Sequence, residues 1–208
     1  EQSRTHGFRT FVSTPDLLES VPHAEHLPVA LDVAAWAAAE EGAAPPEAGG
    51  PVVVLHVPTD RLIKGTRWIE QGLARAAERD PGLSFRLLER APWSEVRVAM
   101  ARADIVVDQV FLGWYGLVAV EAMALGKPVV GFIRPDFEPR ARALGLPLVR
   151  CTKDDVGDVV AALARDPARR ATLGAEGRAY ARRVHDASVV AARLVETYRE
   201  ALVEGVRT

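Results

Sequence analysis

Hydrophobic residues along this chain fall into short continuous runs that alternate with segments of helical spacing. Continuous apolar runs, as opposed to alternating ones, are expected for strands buried on both faces. The predicted strands are PVVVLHV, LSFRLLE, DIVVDQV, PVVGFI and LPLVRC. The predicted helices are Lys64 to Arg79, WSEVRVAMARA, GLVAVEAMAL, Asp154 to Arg165, Pro167 to Val184 and Ala187 to Val203. This alternation predicts an α/β fold, a Rossmann-like doubly wound parallel sheet with helices on both faces.

The first fifty residues follow a different pattern from the rest. A short strand is predicted around Phe11 and Val12, followed by a helical turn that begins near Pro15 with Thr14 as its N-cap. The Pro- and Gly-rich stretch AAPPEAGG predicts an irregular connector, and the strand–helix alternation begins at Pro51.

Composition excludes several classes of protein. The chain has 208 residues, of which 49% are hydrophobic, and a formal net charge of -2. That charge gives no reason to expect nucleic acid or an anionic membrane as the main partner. The single cysteine, Cys151, allows no internal disulfide and is compatible with a cytoplasmic location. No apolar run reaches the roughly 20 residues that a transmembrane helix needs.

The loop after the first main strand has the composition of an anion site. Ligands of parallel α/β sheets bind outside the carboxyl ends of the strands. The segment HVPTDRLIKGT places Arg61 and Lys64 at this edge, with Gly65 and Thr66 at the start of a helix. Two cations beside free helix N–H groups favour a phosphate or diphosphate. The alternative is a solvated basic loop.

The turn LGWYG leads into an apolar helix with a single acid, Glu121. Gly116 lets the backbone approach a ligand closely and leaves the amides of Leu117 and Val118 without partners in the helix. A carboxylate in reach of that end can accept two hydrogen bonds from a ribose diol. Alternatively, Glu121 pairs with a Lys or Arg inside the fold, and the aromatic residues of the turn only pack.

Other polar residues carry weaker signals. His56 ends a buried strand and is interpreted as structural, and His185 as a residue at a helix junction. Asp104 and Asp108 bracket a strand without partner acids at metal spacing, so no metal site is predicted. The sequence has no Gly-x-Ser-x-Gly motif, Cys-His pair, Walker loop or Gly-x-Gly-x-x-Gly after Val57, which argues against hydrolases, NTPases and NAD or FAD enzymes.

Two segments of the chain resemble the donor-binding domain of retaining, group 1 (family 4) glycosyltransferases: RLIKGT and DIVVDQVFLGWYGLVAVEAMALGKPVVGFI. These enzymes have two Rossmann-like domains in the GT-B arrangement. The similarity extends from about Pro51 to Arg150, and the tail LGAEGRAYARRVHD is also typical. It implies residues 51–186 as the nucleotide-sugar-binding domain, 1–50 as a remnant of the N-terminal domain with its linker, and 187–208 as a C-terminal helix. The chain is then a donor-domain fragment with little activity of its own.

The resemblance also implies roles for individual residues. Glu121 holds the ribose hydroxyls, and the donor sugar lies near Gly113, Trp114 and Tyr115. Members of the family commonly carry a further glutamate at the position of Gly113, and this chain lacks it. The donor diphosphate is bound by four residues, Arg61, Lys64, Gly116 and Leu117. No residue of this chain is assigned as catalytic.

The function implied is transfer of a hexosyl group from a nucleoside-diphosphate sugar to an acceptor hydroxyl, with retained anomeric configuration. Neither cofactor nor metal is expected, because Lys64 and Arg61 neutralise the leaving diphosphate. The partners are the nucleotide-sugar, an acceptor and the missing acceptor domain. A bacterial-type, cytoplasmic protein is expected, peripheral at the inner membrane face when full-length. Alternatives are a sugar-nucleotide epimerase of the same architecture, a non-catalytic nucleotide-sugar-binding module and a flavodoxin-type domain with another ligand.

Overall fold

The computed structural model describes residues 9–41 and 49–205 of the chain. Most of the predicted connector AAPPEAGG lies outside the described residues. The described residues form seven strands: Phe11–Val12 (β1), Glu25–His26 (β2), Val52–His56 (β3), Leu83–Leu87 (β4), Ile105–Val107 (β5), Val129–Gly131 (β6) and Leu148–Arg150 (β7). The last five build one parallel sheet in the order β4-β3-β5-β6-β7, and β1 pairs with β2 in a separate parallel pair. The predicted parallel α/β sheet is confirmed.

Helices precede, connect and follow the strands of the main sheet. They are Val33–Glu41 (α1), Arg61–Lys64 (α2), Thr66–Arg79 (α3), Trp93–Ala101 (α4), Leu117–Ala124 (α5), Glu138–Ala143 (α6), Val156–Ala164 (α7), Pro167–Val184 (α8) and Ala187–Gly205 (α9). Two 3-10 turns, Pro15–Glu19 and Pro135–Phe137, complete the described elements. In the part of the chain that the structure describes, no helix combines the length and apolarity needed to cross a bilayer.

Strand order identifies the edge of the sheet at which a ligand is expected. β3 pairs with β4 on one side and with β5 on the other, so the chain changes direction across the sheet after β4. The carboxyl ends of β3 and β5 therefore flank the topological switch point, where ligands of open α/β sheets bind.

The core consists of two apolar layers, one on each face of the sheet. Val54 and Leu55 are consecutive in β3, yet they belong to different layers, as do Val129 and Val130 of β6. Successive side chains of a strand point to opposite faces, so each of these strands is buried on both sides. Burial of each strand on both sides is the reason why these runs of the sequence are continuously apolar.

The N-terminal part confirms the short strand at Phe11 and Val12 and the helical turn after Pro15. Thr14 occupies the predicted N-cap position, although its side chain makes no capping hydrogen bond. Trp36 of α1 is buried in the same core layer as Leu55. The proposed boundary at residue 50 stays a prediction.

Candidate functional site

A sharp turn after β3 brings Lys64 into the interior. The Asp60 carboxylate caps α2 by accepting hydrogen bonds from the backbone N–H groups of Leu62 and Ile63 at 2.8 and 2.9 Å. Gly65 ends this helix with a φ of 72°, a left-handed conformation that favours glycine. As a result, Lys64, the last residue of α2, is only 6% exposed, although this short helix lies at the edge of the sheet.

Lys64 is held by an acid at the end of the neighbouring strand. Its Nζ donates to Oδ1 of Asp108 at 2.6 Å, and Oδ2 of Asp108 accepts from the backbone N–H of Gly116 at 2.7 Å. Asp108 follows β5 directly and is 1% exposed. From its sequence position, Asp108 was predicted only to bracket a strand. The available signal was its place, a carboxylate at the carboxyl end of a central strand opposite a predicted cation.

Gly116 creates the room for this ion pair. A Cβ at this position would lie 2.8 Å from Nζ of Lys64, which is too close for an ordinary contact. The sequence predicted that Gly116 permits a close approach, and the group that approaches in the structure is the Lys64 ammonium. Because the Gly116 amide is already bound by Asp108, the amides of Leu117 and Val118 are the donors left at the start of α5.

Arg61 lies at the same edge but in contact with solvent. Its guanidinium donates to Glu70 at 2.5 Å and to Glu89 at 2.6 Å, and its side chain is 46% exposed. Glu70 comes from α3, and Glu89 comes from the loop after β4. Both predicted cations therefore lie at the carboxyl ends of the strands, and each already has acidic partners.

Glu121 is buried without a cation partner among the described residues. Burial raises the pKa of its carboxyl group to about 7, and the negative charge of Asp108 adds to this shift, whereas a hydrogen bond from the Trp93 side chain opposes it. The alternative that Glu121 forms an ion pair with Lys or Arg is not seen in the described structure. Trp93, at the start of α4, was not predicted as part of this site.

Replacing Glu121 with glutamine is expected to stabilise the fold increasingly as pH rises. The folded-state pKa lies above the ordinary glutamate value of 4.5. Folding therefore loses stability from about pH 4.5 up through about pH 7, as the buried group ionises. Glutamine does not ionise. The difference in free energy of unfolding between Glu121→Gln and the parent should therefore grow in favour of the variant by about 1–2 kcal/mol from about pH 5 to about pH 8.

Urea unfolding of the variant and the parent at about pH 5 and about pH 8 measures this change in free energy of unfolding. Glu176→Gln, which alters an exposed glutamate of α8, serves as the matched control and should show no such gain. A stability difference between Glu121→Gln and the parent that does not change with pH would contradict the assignment of a raised pKa to this carboxyl group.

Gln109 fixes the turn between β5 and α5. Its side-chain amide donates to the carbonyl oxygens of Trp114 and Phe132 at 3.0 and 2.8 Å. Its side-chain oxygen accepts from the backbone N–H groups of Phe111 and Leu112 at 2.7 and 2.6 Å. This role of Gln109 was not predicted, because an isolated glutamine after a strand carries no recognisable pattern.

Trp114 and Tyr115, predicted near the donor sugar, have side chains buried in the core. The hydroxyl group of Tyr115 lies 2.7 Å from the Tyr180 hydroxyl and 3.0 Å from Nε2 of His185. Nδ1 of His185 lies 2.8 Å from the carbonyl oxygen of Val29 and therefore carries the proton. Nε2 of His185 then accepts a hydrogen bond from the Tyr115 hydroxyl group. Both aromatic side chains thus take part in packing, which was the alternative considered from the sequence.

Gly113 is conformationally special. Its φ is 75°, and a Cβ at this position would lie 2.9 Å from Cβ of Arg134. The backbone N–H of Arg134 also donates to the Gly113 carbonyl oxygen at 2.9 Å. The position for which the family resemblance implies a glutamate therefore has no space for a side chain in this chain.

Both histidines singled out in the sequence are structural. Nδ1 of His56 donates to the Val107 carbonyl oxygen at 2.9 Å, so Nε2 accepts from the Thr66 hydroxyl, also at 2.9 Å. Burial lowers the pKa of His56 to about 4, which keeps the ring neutral. His185 caps the end of α8, as predicted for a helix junction. Across residues 9–41 and 49–205, no group of three or more His, Cys, Asp or Glu is placed to hold a metal ion.

A cavity of about 460 Å³ opens at this edge of the sheet. It is bordered by the loops after β3 and β4, including Asp60, Arg61 and Glu89. Arg90 in the second loop has a φ of 52°, which is uncommon for a residue other than glycine and is found in constrained functional loops. The volume lies in the range of small-molecule sites.

Solved structures share this architecture. The Anabaena protein Alr3699/HepE, in complex with UDP and glucose, matches with a TM-score of 0.69 and 16% identity over 92% of this chain and 62% of that chain. The chain has the Rossmann-like fold of GT-B glycosyltransferases. An α,α-trehalose-phosphate synthase (UDP-forming) from Burkholderia vietnamiensis matches with a TM-score of 0.66 and 17% identity, over 92% of this chain and 62% of that chain.

The pneumococcal O-GlcNAc transferase GtfA, in complex with UDP and GlcNAc, has a TM-score of 0.62 and 14% identity, over 96% of this chain and 46% of that chain. No protein-family model matches the chain, and no curated protein sequence matches it. The similarity to the GT-B structures is therefore one of fold. The chain spans less than two thirds of the length of these proteins.

Proposed function

We propose that the chain is the donor half of a glycosyltransferase and binds a nucleoside-diphosphate sugar. The observation that carries this proposal is Glu121, a buried carboxylate with no cation partner in the described structure, beside the Lys64–Asp108 pair at the switch point of a parallel sheet. An acid in this setting needs hydrogen-bond donors, and the two hydroxyls of a ribose supply them. The GT-B fold with UDP-bound neighbours supports the proposal.

Lys64 can serve a diphosphate while it remains paired with Asp108. An ammonium group has three N–H donors, and Asp108 accepts from it through Oδ1 at 2.6 Å. Nζ of Lys64 lies next to Gly116, 2.8 Å from where a Cβ of that residue would be. The amides of Leu117 and Val118 are at the same helix end, where the helix dipole favours negative charge. Asp108 thus orients the ammonium, and the diphosphate binds to preorganised donors.

The same donors supply the chemical assistance that glycosyl transfer needs. As the bond between the sugar and the diphosphate breaks, negative charge develops on the leaving phosphate oxygen. Fixed donors aimed at that oxygen lower the barrier. Arg61 contributes when the phosphate competes successfully with Glu70 and Glu89 for its guanidinium.

The rest of the proposed activity belongs to a longer protein. An N-terminal domain completes the cleft and binds the acceptor, and a hexosyl group passes to an acceptor hydroxyl with retention of configuration. We place this bacterial-type enzyme in the cytoplasm, peripheral at the inner membrane face, without a metal or other cofactor. The similar solved proteins, which extend well beyond the matched region, support a two-domain protein.

Calorimetric titration of UDP-, GDP-, ADP- and dTDP-sugars tests nucleotide binding directly. The double variant Lys64→Gln/Asp108→Asn removes the ammonium group without leaving a buried charge. We expect the parent to bind at least one nucleotide-sugar, and the double variant to bind it about tenfold or more weakly, because charged hydrogen bonds to phosphate are lost.

Lys153→Gln changes an exposed lysine whose ammonium is paired with Asp154, and it serves as the matched control for loss of one positive charge. Its nucleotide affinity should equal that of the parent. Failure of the parent to bind any of the four nucleotide-sugars, or unchanged affinity in the double variant, would overturn the proposed function.

A further inference from the structure

A second basic site lies away from the sheet mouth. A cavity of about 320 Å³ is formed between the segment after β2, α6, the end of α8 and the beginning of α9. Its polar side chains are all basic, and no Asp or Glu lines it; the lining residues are His26, Pro28, Arg140, Ala143, Leu144, Arg183, Val184, Val189 and Arg193. The chain as a whole has a net charge of -2, so this concentration of positive charge is local.

The three arginines of this cavity differ from other arginines of the chain in their partners. Arg61 and Arg134 each contact two carboxylates. In contrast, none of the cavity arginines forms an ion pair with a described residue, and their guanidinium groups bind neutral acceptors only. Arg140 donates to Nδ1 of His26 at 2.8 Å, Arg183 to the Leu144 carbonyl oxygen at 2.9 Å, and Arg193 to the His26 carbonyl oxygen at 3.5 Å.

The charges of these groups converge on one place. The pKa of His26 is lowered to about 4, mainly by burial and further by the positive charges of Arg140 and Arg193. His26 is therefore neutral, and its Nδ1 is an acceptor that fixes the Arg140 guanidinium. A cavity of this volume is about one Debye length across, or roughly 8 Å. The three like charges thus repel one another across the cavity, which favours an anion between them. Arg193 also borders a neighbouring cavity that has three glutamates in its lining.

We infer that this cavity binds the phosphate group of a phosphate ester. Three guanidinium groups match the double charge of a phosphomonoester better than the single charge of a carboxylate, and their planar forks suit phosphate oxygens. The apolar part of the lining, with Leu144, Val184 and Val189, accommodates the carbon skeleton that carries the phosphate. This site is independent of the nucleotide site, because it shares no residue with Lys64, Asp108 or Glu121.

Titration with glycerol 1-phosphate, followed by calorimetry and thermal unfolding, tests the site on the whole chain. The variant Arg140→Gln/Arg183→Gln/Arg193→Gln removes the cavity charges. The control Arg86→Gln/Arg102→Gln/Arg182→Gln removes the same number of charges from exposed positions outside the cavity. We expect the parent and the control to bind the ester equally, and the cavity variant to bind it at least about tenfold more weakly.

Two sources of the phosphate can be separated by a second arm. Vesicles of phosphatidylcholine with and without phosphatidic acid are sedimented with each protein. Phosphatidic-acid-dependent sedimentation that only the cavity variant loses identifies a lipid headgroup, and binding of glycerol 1-phosphate without such sedimentation identifies a soluble ester. Absence of binding to both probes, or equal weakening in the cavity and control variants, would overturn the inference. Either result leaves the proposed nucleotide site untouched, because that site has its own variants.

Discussion

Replacing Asp108 with asparagine is expected to lower the free energy of unfolding by about 3–5 kcal/mol. The substitution leaves the Lys64 ammonium without its counter-charge in a place where the lysine side chain is 7% exposed and the aspartate is fully buried. An isolated buried charge costs far more than an ion pair contributes when intact. Asparagine still accepts a hydrogen bond from the Gly116 amide, so the loss reports mainly on the ammonium. Chemical denaturation at neutral pH measures it.

Two further variants make the Asp108 result specific. Asp104→Asn alters the acid at the other end of β5, whose Oδ2 accepts from the Val53 amide at 2.8 Å, and it should cost only about 1 kcal/mol. The double variant Asp108→Asn/Lys64→Met leaves no bare charge and should recover most of the lost stability. Equal losses in the two asparagine variants, or a double variant less stable than Asp108→Asn, would contradict the importance of the ion pair.

The sequence predicted the sheet because its strands are buried on both faces. Runs such as VVVLH and IVV can be continuous only if a strand contacts apolar layers on either side, as Val54 and Leu55 do. In contrast, β2 and α6 were missed. β2 has two residues, and α6 has one buried residue in its six, Ala141, so neither leaves a periodic pattern.

The positions of Lys64 and Arg61 at the carboxyl ends of the strands were predicted, but their acidic partners were not. The rule that ligands bind at the carboxyl ends of parallel strands identified the loops of Lys64 and Gly116. The partners of the cations depend on distances between residues far apart in the chain, such as the 2.6 Å between Lys64 and Asp108. Such pairing cannot be read from a local pattern. The sequence therefore predicted the two cations without the acids that pair with them.

The same distinction explains the turn before α5. Its glycines and aromatic residues predicted a tight turn, and the fold confirms one with Gly113 at positive φ. The direction in which these side chains point depends on α8 and its C-cap, since Tyr115 is anchored by Tyr180 and His185. The packing of Trp114 and Tyr115 in the core therefore could not be predicted from the local sequence.

Substituting alanine for Gly113 is expected to destabilise the chain by about 2–4 kcal/mol, and glutamate at this position by at least as much. Two costs add: a left-handed φ of 75°, and a Cβ placed 2.9 Å from Cβ of Arg134. Arg134 cannot move freely, because it is bonded to Gly113 through its backbone amide and paired with Glu19 and Asp136 through its guanidinium.

Gly49→Ala separates the two costs of the Gly113 substitution. Gly49 has a φ of 81°, yet a Cβ there would meet no atom within 4 Å, so this variant carries only the conformational cost of about 1 kcal/mol. Urea unfolding of the three variants should give the order Gly49→Ala, then Gly113→Ala, then Gly113→Glu in increasing loss. If Gly113→Glu were as stable as the parent, the turn would have room for an acidic side chain, and the crowding against Arg134 would not restrict this position.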